Sequence, residues 1–207
     1  MRYSIKRTSG PAAEPLTLAA AKDHLRVDTA DDDALIAALL AASREDCEGF
    51  TGRCFVWSAW EMKLDAFPTA RLGEIRLPRP PLIRVDSVKY IDSDGAEQTV
   101  AVADYQVDSN SEPARIRPAY GKSWPTPRAQ FNAVTIAYVA GYAAGEGSPT
   151  DYAANVPESI KAAIKLQMGH LHENREAVNV GNIVTEIPLG VRNLLWMHRV
   201  IDYGLSA

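Results

Sequence analysis

The hydrophobic period of the chain changes twice, and this constrains its fold more than any other feature. From residue 16 to 52, apolar residues recur three and four positions apart, the spacing of one helical face. From residue 53 to 142 they alternate with polar residues or fall in short β-rich runs, and after residue 150 the helical spacing returns. One kind of element cannot satisfy both periods. The pattern therefore predicts an α+β protein in which N-terminal and C-terminal helices form a helical core and an antiparallel β region is inserted between them. The expected division is a flexible N-terminal arm over 1–15, helical core from 16–52 and 150–187, β region over 53–149, and a C-terminal helix or arm over 188–207.

The local signals agree with this plan. Thr17 stands where an N-cap belongs, ahead of the apolar stripe Leu18, Ala21 and Leu25. Asp31, Asp32 and Asp33 sit where a helix dipole favours anions, before a face made of Leu35, Ile36, Leu39, Leu40, Ser43, Cys47 and Phe50, with Gly52 as the stop. In the β region Val56, Trp60, Met62 and Leu64 follow the two-residue period, and Asp94-Gly95 in "SDGA" suits a hairpin turn that needs positive φ. Pro78, Pro80 and Pro81 must lie at an edge or between strands. Pro157 opens a helix whose buried stripe is Ile160, Ala163, Ile164, Gln167, Met168 and Leu171, and Pro188 begins a last apolar segment. Residues 1–15, polar and punctuated by Gly10, Pro11 and Pro15, read as an extended arm and not as an element.

Composition narrows the class of function. Hydrophobic residues at 46% and charged residues at 23% are those of an ordered globular chain. A net charge of −4, from 26 acidic and 22 basic residues, argues against a protein that grips phosphates over a broad basic face. The two cysteines, Cys47 on a helix and Cys54 at the next strand's start, read as buried or idle thiols in a reducing compartment, and not as a disulfide framework or a zinc site. No apolar segment follows the basic start, and no apolar run reaches about 18 residues, so neither a signal peptide nor a membrane span is expected.

"LQMGHLHENREAVNVGN" holds His170, His172, Glu173 and Glu176, the residues of a small metal-dependent hydrolase if there is one. On a helix, however, His170 and His172 point to opposite sides and cannot chelate one ion, and the H-E-x-x-H spacing is missing. The stretch reads as a polar helix end. "DTADDDA" lacks the glycine a calcium loop requires and reads as helix N-terminal charge. No nucleophile elbow, phosphate loop or dinucleotide fingerprint occurs. Trp57, Trp60, Trp124 and Trp196 read as core or interface residues; a receptor- or glycan-binding β module would use exposed aromatics such as Trp124.

Taken in order, "LTLAAAKDHLRVD", "DDDALIAALLAASREDCEGFTGR", "IRLPRPPLIRVDSVKYIDSDGAEQ", "DYQVDSNSEPARIRPAYGKSWP", "VTIAYVAGY", "VPESIKAAIKLQMGHLHENREAV" and "IPLGVRNLL" resemble the head–tail connector (adaptor) family of tailed bacteriophages, prophages and gene transfer agents. The resemblance spans about residues 16–198, in the family form that carries a β region between the helices, and "HLHENREAV" is a regular part of its pattern. It implies a structural protein with no catalytic residue, metal or cofactor. The implied setting is the virion neck, after synthesis in the host cytoplasm. The implied partners are the portal protein, neighbouring copies in a twelvefold ring, and a stopper or tail-completion protein. DNA would pass through the channel without sequence-specific binding, and no membrane would be involved.

The C-terminal segment carries Leu194, Leu195, Trp196, Met197, Val200, Ile201 and Tyr203, which cover most of a helix circumference. That exceeds what one short helix needs against its own subunit, so these residues and Arg199 are read as a contact arm toward portal or a neighbouring subunit. Residues 194–207 are accordingly expected to be separable from the subunit's fold.

Overall fold

A computed structural model describes residues 3–11, 13–69, 73–142, 155–174 and 188–201. Its helices start and stop on the signals in the sequence. In α1 (Leu18–Leu25) the Thr17 hydroxyl accepts the Ala20 N–H at 3.1 Å, and the helix ends at Arg26 in a left-handed conformation. In α2 (Asp33–Thr51) the first turn carries Asp33, which accepts from Lys22 Nζ at 2.6 Å and so ties the two helices together. Gly52 closes α2 at φ 72°, donating its N–H to the Glu48 carbonyl. Prolines precede the other two helices, α3 (Glu158–Glu173) and α4 (Leu189–Trp196), where the missing N–H costs nothing.

Among the described residues, eight strands form two antiparallel sheets. They are β1 (Tyr3–Ser9), β2 (Ser58–Leu64), β3 (Ile75–Arg76), β4 (Leu82–Ile91), β5 (Glu97–Thr99), β6 (Tyr105–Asp108), β7 (Arg115–Pro118) and β8 (Val134–Ala140). The larger sheet has the order β1-β2-β8-β4-β5, and the smaller has β3-β7-β6. The β2/β8 register runs from Ser58 opposite Ala140 to Leu64 opposite Val134, which puts Trp60, Met62 and Leu64 on the same inward face as Ile136 and Tyr138. The chain is α+β, as its periodicity predicts.

The apolar side chains sort into two clusters. One lies within the sheets and includes Cys54, Met62, Leu64, Ile75, Val88, Ile116, Ile136 and Tyr138. The other lies among the helices and includes Ala21, Ile36, Leu40, Phe55, Ile160, Ile164, Met168 and Leu195. The consecutive residues Cys54 and Phe55 belong to different clusters, so the chain crosses from one core to the other within a single peptide unit.

Three expectations change. Residues 1–15 are not an arm devoid of elements: Tyr3–Ser9 is the edge strand β1, paired with β2 from Tyr3 opposite Leu64 to Ser9 opposite Ala59. Its alternation is hidden because an edge strand with one half-covered face needs few apolar residues. Cys54 stands four residues ahead of β2, buried in the approach to the strand. In the β4–β5 turn only Gly95 has positive φ, and the Asp92 carboxylate fastens the loop by accepting the N–H groups of Asp94 and Ala96.

Helices and sheet are joined at the buried carboxylate of Glu48. Its Oε2 accepts from Arg7 of β1 at 2.7 Å and from Arg44 of α2 at 2.9 Å, and its Oε1 accepts the backbone N–H of Phe55 at 2.7 Å. Arg44 also reaches Glu14 at 2.8 Å; burial opposes its charge, and the three surrounding carboxylates outweigh this and hold it above its ordinary pKa. Arg79, between the β3 and β4 strands, donates to the Glu48 carbonyl at 3.1 Å, and both Arg7 and Arg79 lie over the Trp60 ring.

Removing one partner from such a buried network leaves charge and donors uncompensated. Glu48→Ala is expected to lower stability by about 3–5 kcal/mol in urea unfolding, with Glu48→Gln losing less because it can still accept the Phe55 N–H. An unchanged midpoint in Glu48→Ala would show that the junction does not depend on this carboxylate.

Candidate functional site

The C-terminal surface is built on α4. Val191 and Leu195 point inward and are buried among the helices, while Leu189, Trp196 (50% exposed) and Met197 (75% exposed) face outward, followed by Ile201. Leu166 of α3 is also exposed, and its Cδ1 lies 3.9 Å from where a Cβ on Gly190 would stand, so it continues the apolar surface. The Trp196 ring has the guanidinium of Arg192 at 5.8 Å and that of Arg199 at 5.4 Å, with Arg199 also 5.6 Å from the Phe50 ring. Exposed aromatic, methionine and arginine side chains of this kind are the types enriched at interface centres.

The segment after α4 is pinned to the rest of the subunit. The Val200 N–H donates to the Thr51 carbonyl at 2.8 Å, where α2 ends. Arg53 donates from Nε to the His198 carbonyl and from Nη2 to the Glu112 carboxylate, spanning the C-terminal segment and the β region. His198 Nε2 lies 2.7 Å from the Ser159 hydroxyl at the start of α3. Nothing in the sequence marks Arg53 for this work; it is an arginine beside a helix stop, and its partners lie 145 and 59 positions away.

Of the residues read as a contact arm, the structure presents Trp196, Met197, Arg199 and Ile201 outward. Leu195 is a correction, because it is fully buried in the subunit's own helical core and is not offered to a partner. Leu194 is half-buried against that core, Val200 is half-buried beside Gly52, and Tyr203 lies outside the described residues. Residues 194–207 are therefore not separable from the fold: cutting at 194 removes Leu195 from the core and the Val200 bond to α2.

The competing readings meet different geometry. His170, His172 and Glu173 occupy the last turn of α3, where the Asn174 side chain caps the His170 carbonyl at 2.9 Å; Glu176 lies outside the described residues. Among the described residues no group of three His, Cys, Asp or Glu side chains is placed to hold a metal ion. Cys47 and Cys54 are buried, and burial pushes their thiols up to about 12 and about 11, far from reactive thiolates. Trp124 is no free platform: it is half-buried, stacked on Phe67 at 4.7 Å and 9°, with its indole N–H donated to the Gly73 carbonyl. It forms one wall of a cleft of about 960 Å³ at the end of the β region.

His198 gives the C-terminal docking a pH dependence. Burial, then the positive charge of Arg53, lowers its pKa below the ordinary 6.5. The folded state thus prefers the neutral ring, so this contribution to docking is complete above pH 6.5 and is lost as pH falls through the lower folded value. The Val200 amide, corrected for intrinsic exchange, is expected to lose hydrogen-exchange protection toward pH 5, and His198→Asn is expected to abolish that change; equal protection across the range would contradict it.

No known family model and no curated protein matches the sequence. Solved structures do share its fold. A chain in the neck of an empty GTA particle computed with C6 symmetry superposes with a TM-score of 0.74 at 22% identity, covering 96% of each chain. A chain in the virion of a native gene transfer agent (GTA) particle gives a TM-score of 0.75 at 22% identity and the same coverage. A chain in the neck of the native GTA particle computed with C12 symmetry gives 0.70 at 21% identity, again over 96% of both chains. The two helical segments and the β region between them are thus one shared architecture, matched almost end to end.

Proposed function

We propose that this chain is a structural head–tail connector of a tailed phage or phage-like particle. It forms a ring beneath the portal, lengthens the DNA channel and joins the head to the tail-side proteins. The observation that carries this reading is the fold match over 96% of both chains to components of GTA necks and virions. The ordered motifs that resemble the connector family support it independently. A twelvefold ring of neighbouring copies is in keeping with the C12 and C6 symmetry used for the two neck structures. Its place is the particle neck, after synthesis in the host cytoplasm, with portal on one side and a stopper or tail-completion protein on the other.

The role is architectural and not enzymatic. A net charge of −4 suits a channel wall past which phosphates slide, since a broadly basic lining would hold them. The outward face of α4, with Trp196, Met197, Arg199 and Ile201, is the surface by which the subunit meets portal or its neighbour in the ring. Leu194, packed on the helical core, and Val200, bonded to the Thr51 carbonyl, hold that face in place.

Because deletion would damage the helical core, the surface is tested by substitution. The double variant Trp196→Ser/Met197→Ser is expected to fold with a stability within about 1 kcal/mol of the parent, since both side chains face solvent. It is also expected to be absent from particles purified from a producing strain, as read by mass spectrometry of the neck. Normal incorporation of this variant would remove the α4 face from the assembly, and a parent chain that never appears in particles would overturn the connector role itself.

A further inference from the structure

The cleft beside Trp124 is a preformed surface that joining head to tail through α4 does not use. Phe67 and Trp124 stack along one wall, Tyr105 lies behind Trp124 at 6.4 Å, and the Trp124 indole N–H is bonded to the Gly73 carbonyl, so the wall is held in place before anything binds. At its rim Tyr120 is 100% exposed. It is held out by an ordered turn: the Ala119 N–H donates to the Asp104 carbonyl, Lys122 pairs with the Asp104 carboxylate at 2.9 Å, and Gly121 supplies φ 75°. A large aromatic kept in water by a structured loop marks a contact surface, because an ordinary loop would bury it or dispense with it.

The charge of the cleft identifies what it takes. Arg117 and Arg128 line it; Arg128 Nη1 rests against Gly95 and Arg117 also borders the hollow that holds Glu74 and Asp108, where those two carboxylates are engaged by Arg115. Lys63, Arg76, Arg84, Lys89, Arg115 and Lys122 of the same β region each face a carboxylate. One acid lines the cleft, Asp65, and it is engaged in accepting the Asn132 N–H at 2.9 Å. The opposite charge stands elsewhere on the same chain. The turn between α1 and α2 carries Asp28, Asp31, Asp32 and Asp33, of which Asp33 is tied to Lys22 while Asp28 and Asp31 are exposed. This turn begins α2, on the helical side of the Glu48 junction, while the cleft is lined by residues of the β region alone, so the acidic turn and the basic cleft are separate patches of one subunit. Two different, complementary patches on one molecule are what a heterologous ring contact requires.

We infer that the Trp124 cleft, through Arg117, Arg128 and Tyr120, receives the acidic Asp28–Asp31 turn of a second copy of this chain. The inference rests on the ring-forming connector reading and adds the contact by which neighbours engage. The occupant is a carboxylate-bearing peptide turn, recognised by two arginines and an aromatic rim.

The test uses the full-length chain in assembled particles. Asp31→Cys combined with Tyr120→Cys, oxidised with copper phenanthroline, is expected to give a ladder of covalent multimers on non-reducing gels that neither single variant gives; Cys47 and Cys54 are buried and do not compete. Reversing the cleft in Arg117→Glu/Arg128→Glu is expected to weaken self-association about tenfold, and pairing it with Asp28→Arg/Asp31→Arg in the same chain to restore it. Should the reversed variant fail to fold, Arg117→Gln/Arg128→Gln gives the same reading with a smaller change in charge. Particles that contain the chain but yield no ladder, or charge swaps without effect on association, overturn the inference and leave the connector role standing. Loss of binding to a short DNA duplex on cleft reversal, with self-association unchanged, overturns it in favour of a nucleic-acid surface.

Discussion

The architecture depends on one buried carboxylate. Glu48 gathers an arginine from the edge strand, an arginine from its own helix and a backbone N–H from the segment that leaves that helix, all within 3 Å. Charge pairing alone is a poor argument for stability in such a place, since desolvating the ions offsets much of their attraction. What the cluster adds is direction. The Phe55 N–H fixes the exit of the chain from α2, and Arg7 fixes β1 against the same point, so helical layer and sheet are tied to one carboxylate.

The same economy places the C-terminal surface. The α2 helix ends at Gly52, and within two residues of it the chain supplies a carbonyl from Thr51 for Val200 and a guanidinium from Arg53 for His198. An apolar face that was free to swing would lose conformational entropy on meeting a partner. Here Trp196 is already flanked by two arginines on a helix whose inner side is locked in the core, so its geometry precedes any contact.

Much of this was legible in the residues. The two changes of period, Thr17 before α1, Gly52 after α2 and Pro157 before α3 each act through neighbours a few positions away, and such local causes can be read from sequence. The unread parts are those with distant causes. β1 is a strand because residues fifty or more positions later complete its hydrogen bonds, and its own polar composition conceals this. Leu195 and Trp196 are equally apolar neighbours, and only the direction of α4 against α3 decides that the first is buried and the second exposed. Trp124 has the composition of a binding platform, yet Phe67, remote in sequence, covers one of its faces.

The crossing at Cys54 and Phe55 has a mechanical meaning. Two layers linked by several loose residues can twist or flex against each other, and a push on one is absorbed in the linker. Here adjacent side chains are anchored in separate cores, and the backbone between them is clamped by Glu48. At this crossing, torque or compression applied to the sheets therefore meets a clamped peptide unit and reaches the helical core without a loose linker in between.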